Sequence, residues 1–167
     1  MHVELNINKF EPLRGGCSVQ IPSVFSKRRA ILSFNNDNMY CFGYCIVASI
    51  FPPIGPKNCI NSYPDFNNVL DFSNITFPVS LKCIPTFEAQ NNLSINVYGV
   101  EKSFKDGKMI YDIVGPLHFS KNRKELHINL LMLTDDKNES YHYCLITNLS
   151  ALVSKQLSQH KVKRYIF

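Results

Sequence analysis

Cys41 and His142 are the residues whose types and settings allow covalent chemistry. Cys41 follows a polar turn, Asn35-Asn36-Asp37-Asn38-Met39-Tyr40, and opens an apolar stretch running to Ile50. That pattern predicts a helix over 41–50 with the cysteine at its first position, stopped by Pro52-Pro53. The positive end of a helix dipole favours a thiolate over a thiol, so this sulfur has the setting of a nucleophile. A cysteine nucleophile needs a base. His142, in Tyr141-His142-Tyr143-Cys144-Leu145-Ile146, begins a strand, and alternation puts it on one face with Cys144 and Ile146. A histidine at a sheet rim can meet a helix N-terminus.

Other members of such a site are open. Asn36, shortly before the cysteine, is the best side-chain donor for an oxyanion, together with the N–H of Cys41. Asp37 is an alternative polar partner for the histidine. Asn148 invites a cysteine–histidine–asparagine arrangement. Six residues of extended chain, however, put it roughly 20 Å from His142 at about 3.3 Å per residue, where it would cap the next helix instead. Glu139 and Ser140 lie near His142 in a polar turn. His127 is a rival base, but an antiparallel return places it at the far end of the sheet from His142. His2, His118 and His160 read as surface. Cys45, one turn after Cys41, reads as core. Cys41-x3-Cys45, His142-x-Cys144 and Cys59 are a conceivable zinc set. The usual Cys-x2-Cys knuckle is absent, so neither metal nor cofactor is expected.

The elements that must position these residues form a mixed pattern. Ala30–Phe34 reads as a short strand, 65–70 as a short helix, and 85–90 as a helical turn opened by Pro85. Strands are expected at 94–100, 110–114 and 127–133, with a short edge at 117–119. Asp106-Gly107 marks a hairpin turn. His127–Leu133 is apolar on both faces and so belongs in the middle of a sheet. A helix after Asn148 shows Leu149, Leu152, Val153 and Leu157 on one side. The expected class is α+β: a buried helix packed on a mainly antiparallel sheet, in a single domain over 1–167 whose first 29 residues are irregular.

Composition narrows the function. The chain has 167 residues, 45% of them hydrophobic, and only 19% are charged against a usual share of about 25%. The net charge is +5, but basic residues cluster only at Lys27-Arg28-Arg29 and Lys161-Val162-Lys163-Arg164, without interleaved aromatics. A solvated surface explains both runs, so nucleic acid is not the expected partner. The N-terminus lacks a leader pattern, and the apolar run around 41–54 is too short and interrupted to span a bilayer. An intracellular protein without membrane attachment is expected, its six cysteines free thiols that are mostly buried.

Several segments together resemble a known family. They are Pro12-Leu13-Arg14-Gly15-Gly16, Lys27-Arg28-Arg29-Ala30-Ile31, Asn35 to Phe42, Phe77-Pro78-Val79, Pro85 to Asn91, Asn96-Val97-Tyr98-Gly99, His127 to Leu131 and His142 to Ser150. In order and spacing they resemble a domain of Maverick/Polinton-type mobile elements that often precedes a protein-primed DNA polymerase. That domain is similar to papain-fold cysteine proteases, in particular the deubiquitinases related to herpesviral large tegument proteins. The resemblance covers nearly the whole chain. It implies a papain-like fold, Cys41 as nucleophile, His142 as base, and ubiquitin or a ubiquitin-like protein as partner. Ser140 stands where the tegument enzymes typically carry an aspartate, so the resemblance leaves the third member unassigned. The alternative is a non-catalytic protein- or DNA-binding module of a mobile-element replication protein.

Overall fold

The fold is described from a computed structural model that covers residues 19–34, 38–135 and 140–160. Helix α1 (Ser23–Ser26) precedes strand β1 (Ile31–Leu32), and helix α2 (Cys41–Ile50) follows. Two short helices, α3 (Phe66–Val69) and α4 (Ile84–Asn91), lead to the hairpin of β2 (Ser94–Lys105) and β3 (Lys108–His118). Strands β4 (His127–Asp135) and β5 (Ser140–Ile146) come next, then helix α5 (Leu149–His160). The expectation of an α+β domain holds.

Among the described residues the strands form a five-stranded sheet in the order β1-β5-β4-β2-β3. All neighbours are antiparallel except β2 and β4, which run parallel with Ser94 beside His127 and Tyr98 beside Leu131. The inner position of β4 is the one its two-sided apolarity requires: Ile128 and Leu130 enter one buried cluster, Leu131 and Leu133 the other. Each face of the sheet thus has its own core. The first holds Phe34, Cys41, Phe42, Cys45, Ile46, Phe87 and Tyr143, supplied largely by α2 and α4. The second holds Phe25, Ile113, Cys144, Leu152 and Val153, closed by α1 and α5.

Local chemistry explains the boundaries. Asp106 and Gly107 take positive φ (51° and 74°), which lets Lys105 pair directly with Lys108 in a two-residue turn. Asp65 caps α3 by accepting the Asn67 N–H at 2.9 Å, and Asn148 caps α5 by accepting the Ala151 N–H at 2.9 Å. Helix α4 begins one residue before Pro85, fills two turns rather than one, and ends on left-handed Asn92.

Further sequence expectations need correction. The segments 110–114 and 117–119 are one strand, because pairing with β2 carries the ladder across Gly115-Pro116. The stretch 1–29 is not wholly irregular, since α1 forms within it and buries Phe25. The Lys27-Arg28-Arg29 run is not all solvated surface. The Arg28 guanidinium donates to the Leu152 carbonyl on α5 and stands 5.9 Å from the centre of the Phe25 ring.

On each long edge of the sheet, helix side chains take both main-chain groups of one residue. On the β3 edge the Gln156 amide takes both main-chain groups of Ile113: its Oε1 accepts the N–H at 2.8 Å, and its Nε2 donates to the carbonyl at 2.9 Å. On the β5 edge, beyond the end of two-residue β1, the same service comes from α2, and it builds the candidate site.

Candidate active site

Strand β1 pairs with β5 only through Ile31–Ile146 and Leu32–Leu145. Past that point the outward main-chain groups of β5 need other partners, because buried polar groups left unpaired are costly. Helix α2 supplies them. The Tyr143 N–H donates to Cys41 Sγ at 3.4 Å, and the Cys45 thiol, one turn along, donates to the Tyr143 carbonyl at 3.4 Å. The two cysteines therefore hold different roles on one residue. Burial, with Cys144 nearby, pushes the Cys45 thiol well above its ordinary pKa and keeps it the donor it must be. Cys41, at the first position of α2, is the acceptor.

His142 directly precedes Tyr143, so the candidate base is the next residue along the strand whose main chain meets the Cys41 sulfur. The ring shares the second face of the sheet with Leu133, its neighbour across β4, while α2 packs on the first. The His142 Nε2 lies 2.8 Å from Ser33 Oγ, one residue beyond β1. Ser33 is a site residue that sequence reasoning missed. The available signal was its place at the end of a strand preceding the cysteine turn, too weak to single it out. Both Cys41 (3% exposed) and His142 (2%) are buried.

The entry to α2 is set by Asn38. Its Oδ1 accepts the Tyr40 N–H at 3.0 Å, and its amide donates to the Tyr44 hydroxyl at 3.2 Å. This is the local asparagine chemistry expected of the turn, carried by Asn38. Asn36, Asp37 and Glu139 lie outside the described residues, as do His2 and Cys17. The first internal bond of the helix runs from Tyr44 N–H to the Tyr40 carbonyl at 3.1 Å, so the opening N–H groups of α2 precede its hydrogen-bonded ladder.

The remaining sequence candidates are placed elsewhere. Asn148 caps α5, with its own N–H 3.3 Å from the Ala30 carbonyl. His127 stands at the opposite end of β4 from Leu133, the neighbour of His142, and its Nδ1 lies 2.7 Å from Ser94 Oγ. Burial, then Arg123, holds the His127 imidazole below its ordinary pKa. His118 is partly buried rather than fully exposed: its Nε2 lies 3.3 Å from Glu88, whose other oxygen accepts the Ile95 N–H at 2.7 Å. Among the described residues no group of three or more His, Cys, Asp or Glu is placed to hold a metal ion.

The strand also pins the loop beyond α3. The Tyr141 hydroxyl donates to the Pro78 carbonyl at 3.1 Å and the Tyr143 hydroxyl to Val79 at 2.8 Å. Phe42 packs edge-to-face on Tyr143 and Phe87 at 5.2 and 5.1 Å. The five described cysteines, 41, 45, 59, 83 and 144, are free thiols.

No protein-family model, curated protein or solved structure matches the chain. Among the described residues no helix is long and apolar enough to cross a membrane.

Proposed function

We propose that this protein is a cysteine-dependent isopeptidase, a deubiquitinase with a papain-like arrangement acting inside the cell. The observation that carries the reading is Cys41 at the first position of a buried helix, its sulfur 3.4 Å from the main chain of the residue after His142. In this reading Cys41 passes its thiol proton to His142, and the thiolate attacks the carbonyl carbon at the Gly-Gly end of ubiquitin or a ubiquitin-like protein. The C–S bond forms, and N–H groups at the start of α2 hold the oxyanion. His142 passes a proton to the departing lysine amine as the C–N bond breaks. A water deprotonated by His142 then cleaves the thioester, releasing the modifier's carboxylate and returning the proton to sulfur. Ser33, on the ring nitrogen of His142, is a positioning residue.

The burial of Cys41 and His142 favours a second reading. A thiol that satisfies an edge strand has a structural use, and the chain would then be a non-catalytic binding module of a mobile-element replication protein.

Ubiquitin carrying a C-terminal propargyl warhead separates the two, run beside warheads on other ubiquitin-like modifiers and a Cys41→Ala control. The isopeptidase gives an adduct one modifier heavier that vanishes in the variant. A folded sample that reacts with no modifier overturns this function. Strong, salt-dependent DNA binding by the same sample then supports the binding module.

A further inference from the structure

An open cleft of about 590 Å³ begins at Tyr40, the residue before Cys41, and runs along Tyr44 and Val47 of α2 to the α3 segment. Its volume is in the range of small-ligand sites, roughly 300–1,000 Å³. Aromatic rings dominate its lining. Tyr40 meets Phe77 at 4.9 Å and Phe66 at 5.8 Å, Tyr44 meets Phe66 at 5.5 Å, and Tyr63 completes the wall. Asp65 is the one charged side chain among the described residues that line it. Asp65 uses Oδ1 to cap α3 and is exposed.

Ring faces carry negative charge density and attract an ammonium or guanidinium within about 6 Å, more strongly when partly desolvated. A carboxylate at the wall adds to that attraction and repels an acidic side chain. A cleft lined in this way favours a cationic side chain over an acidic one. Two glycines span at most about 7 Å of extended chain, so the residue upstream of a Gly-Gly end held at Cys41 lies within reach of Tyr40.

We infer that this cleft receives an arginine or lysine side chain of the substrate segment just upstream of the Gly-Gly end. The position given to that side chain rests on Cys41 being the nucleophile. The rings stack on its cationic head and Asp65 supplies the counter-charge.

The test uses the Cys41→Ala protein, so that binding is read without turnover. Acetylated peptides ending in Arg-Gly-Gly, Leu-Gly-Gly and Glu-Gly-Gly are titrated by proton NMR, following the tyrosine and phenylalanine ring signals. The Arg peptide binds at least tenfold more tightly than the Glu peptide. Asp65→Asn keeps the capping oxygen of α3 while removing the charge, and it lowers that preference at least threefold. Tyr40→Ala weakens binding of the Arg peptide. Equal affinities for Arg and Glu peptides, or a preference unchanged in Asp65→Asn, overturn the inference. The ubiquitin warhead on the unmutated protein answers separately for the nucleophile. Charge-selective peptide binding without any adduct supports the cation site and overturns the isopeptidase. An adduct without charge selectivity does the reverse.

Discussion

Cys41 accepts a hydrogen bond from the main-chain nitrogen of Tyr143 at 3.4 Å, so the sulfur proposed as nucleophile also closes the open edge of a strand. Chemistry and stability are coupled at this atom, and the first prediction separates them. Cys41→Ala leaves a buried N–H without its acceptor, a loss of about 1–3 kcal/mol. At this size each kcal/mol lowers Tm by roughly 2–4 °C. Cys41→Ser retains an acceptor and loses less. Both variants lose the ubiquitin adduct. Thermal unfolding beside mass spectrometry checks the pair, and a serine variant that still forms the adduct refutes the nucleophile.

Ser33→Ala removes the hydroxyl that lies 2.8 Å from His142 Nε2. We expect kcat on a fluorogenic ubiquitin substrate to fall by about tenfold with KM little changed, short of the 10²–10⁴ typical of losing an acid–base group itself. The acid limb of the pH profile shifts in the alanine variant and returns in Ser33→Thr. A limb that stays in place in Ser33→Ala shows that the serine does not position the imidazole.

Gly43 faces Phe66 so closely that an added Cβ would stand 2.9 Å from three atoms of the ring. Gly43→Ala therefore displaces Phe66, a wall of the aromatic cleft, at a cost of about 1–3 kcal/mol despite the better helix propensity of alanine. Phe66→Leu in the same chain relieves part of the loss. Unfolding in urea measures both; a stabilised Gly43→Ala would mean that the ring moves freely.

Gln156→Ala strips the cover from both main-chain groups of Ile113 on the β3 edge. The expected result is a loss of about 1–2 kcal/mol and concentration-dependent self-association, because an open strand edge pairs with another chain. Sedimentation velocity across a hundredfold range of concentration reads the association. A variant that stays monomeric throughout removes that role from Gln156.

His127 gives a pH dependence whose sign is fixed. Burial, then Arg123, lowers its pKa in the fold, with Glu88 opposing. The folded state thus binds fewer protons than the unfolded state. This contribution to stability is whole above the unfolded value, about 6.5, and is lost as pH falls through the lower folded value. Melting curves between pH 7 and 5 should fall more steeply for the native protein than for His127→Gln. Parallel curves would show that another group sets the slope.

Local features of the fold were legible where residues signal to near neighbours. Helix α2 spans 41–50 as its apolar run and Pro52-Pro53 require. The Asp106-Gly107 turn, the two-sided apolarity of β4, the alternation along β5 and the Asn148 cap follow in the same way. What escaped is long-range. Nothing local to Ser94–Tyr98 announces a parallel partner in His127–Leu131, and nothing in Ile31-Leu32 names β5. The cysteine and the strand bearing the histidine were readable as types in settings. That Cys41 and Cys45 would share the two main-chain groups of Tyr143, or that a serine hydroxyl would reach His142, depends on how the β5 edge is left uncovered.

The pairing of β1 with β5 has a consequence during synthesis. Ser33 and His142 are 109 residues apart, and the strands that bring them together are the first and last of the described sheet. A ribosome has released Cys41 and the whole β2–β3 hairpin long before β5 exists. Until β5 emerges, Cys41 has no strand to meet and Ser33 no imidazole. The site is therefore a late product of translation, and a nascent chain carries the thiol without the machinery proposed to activate it.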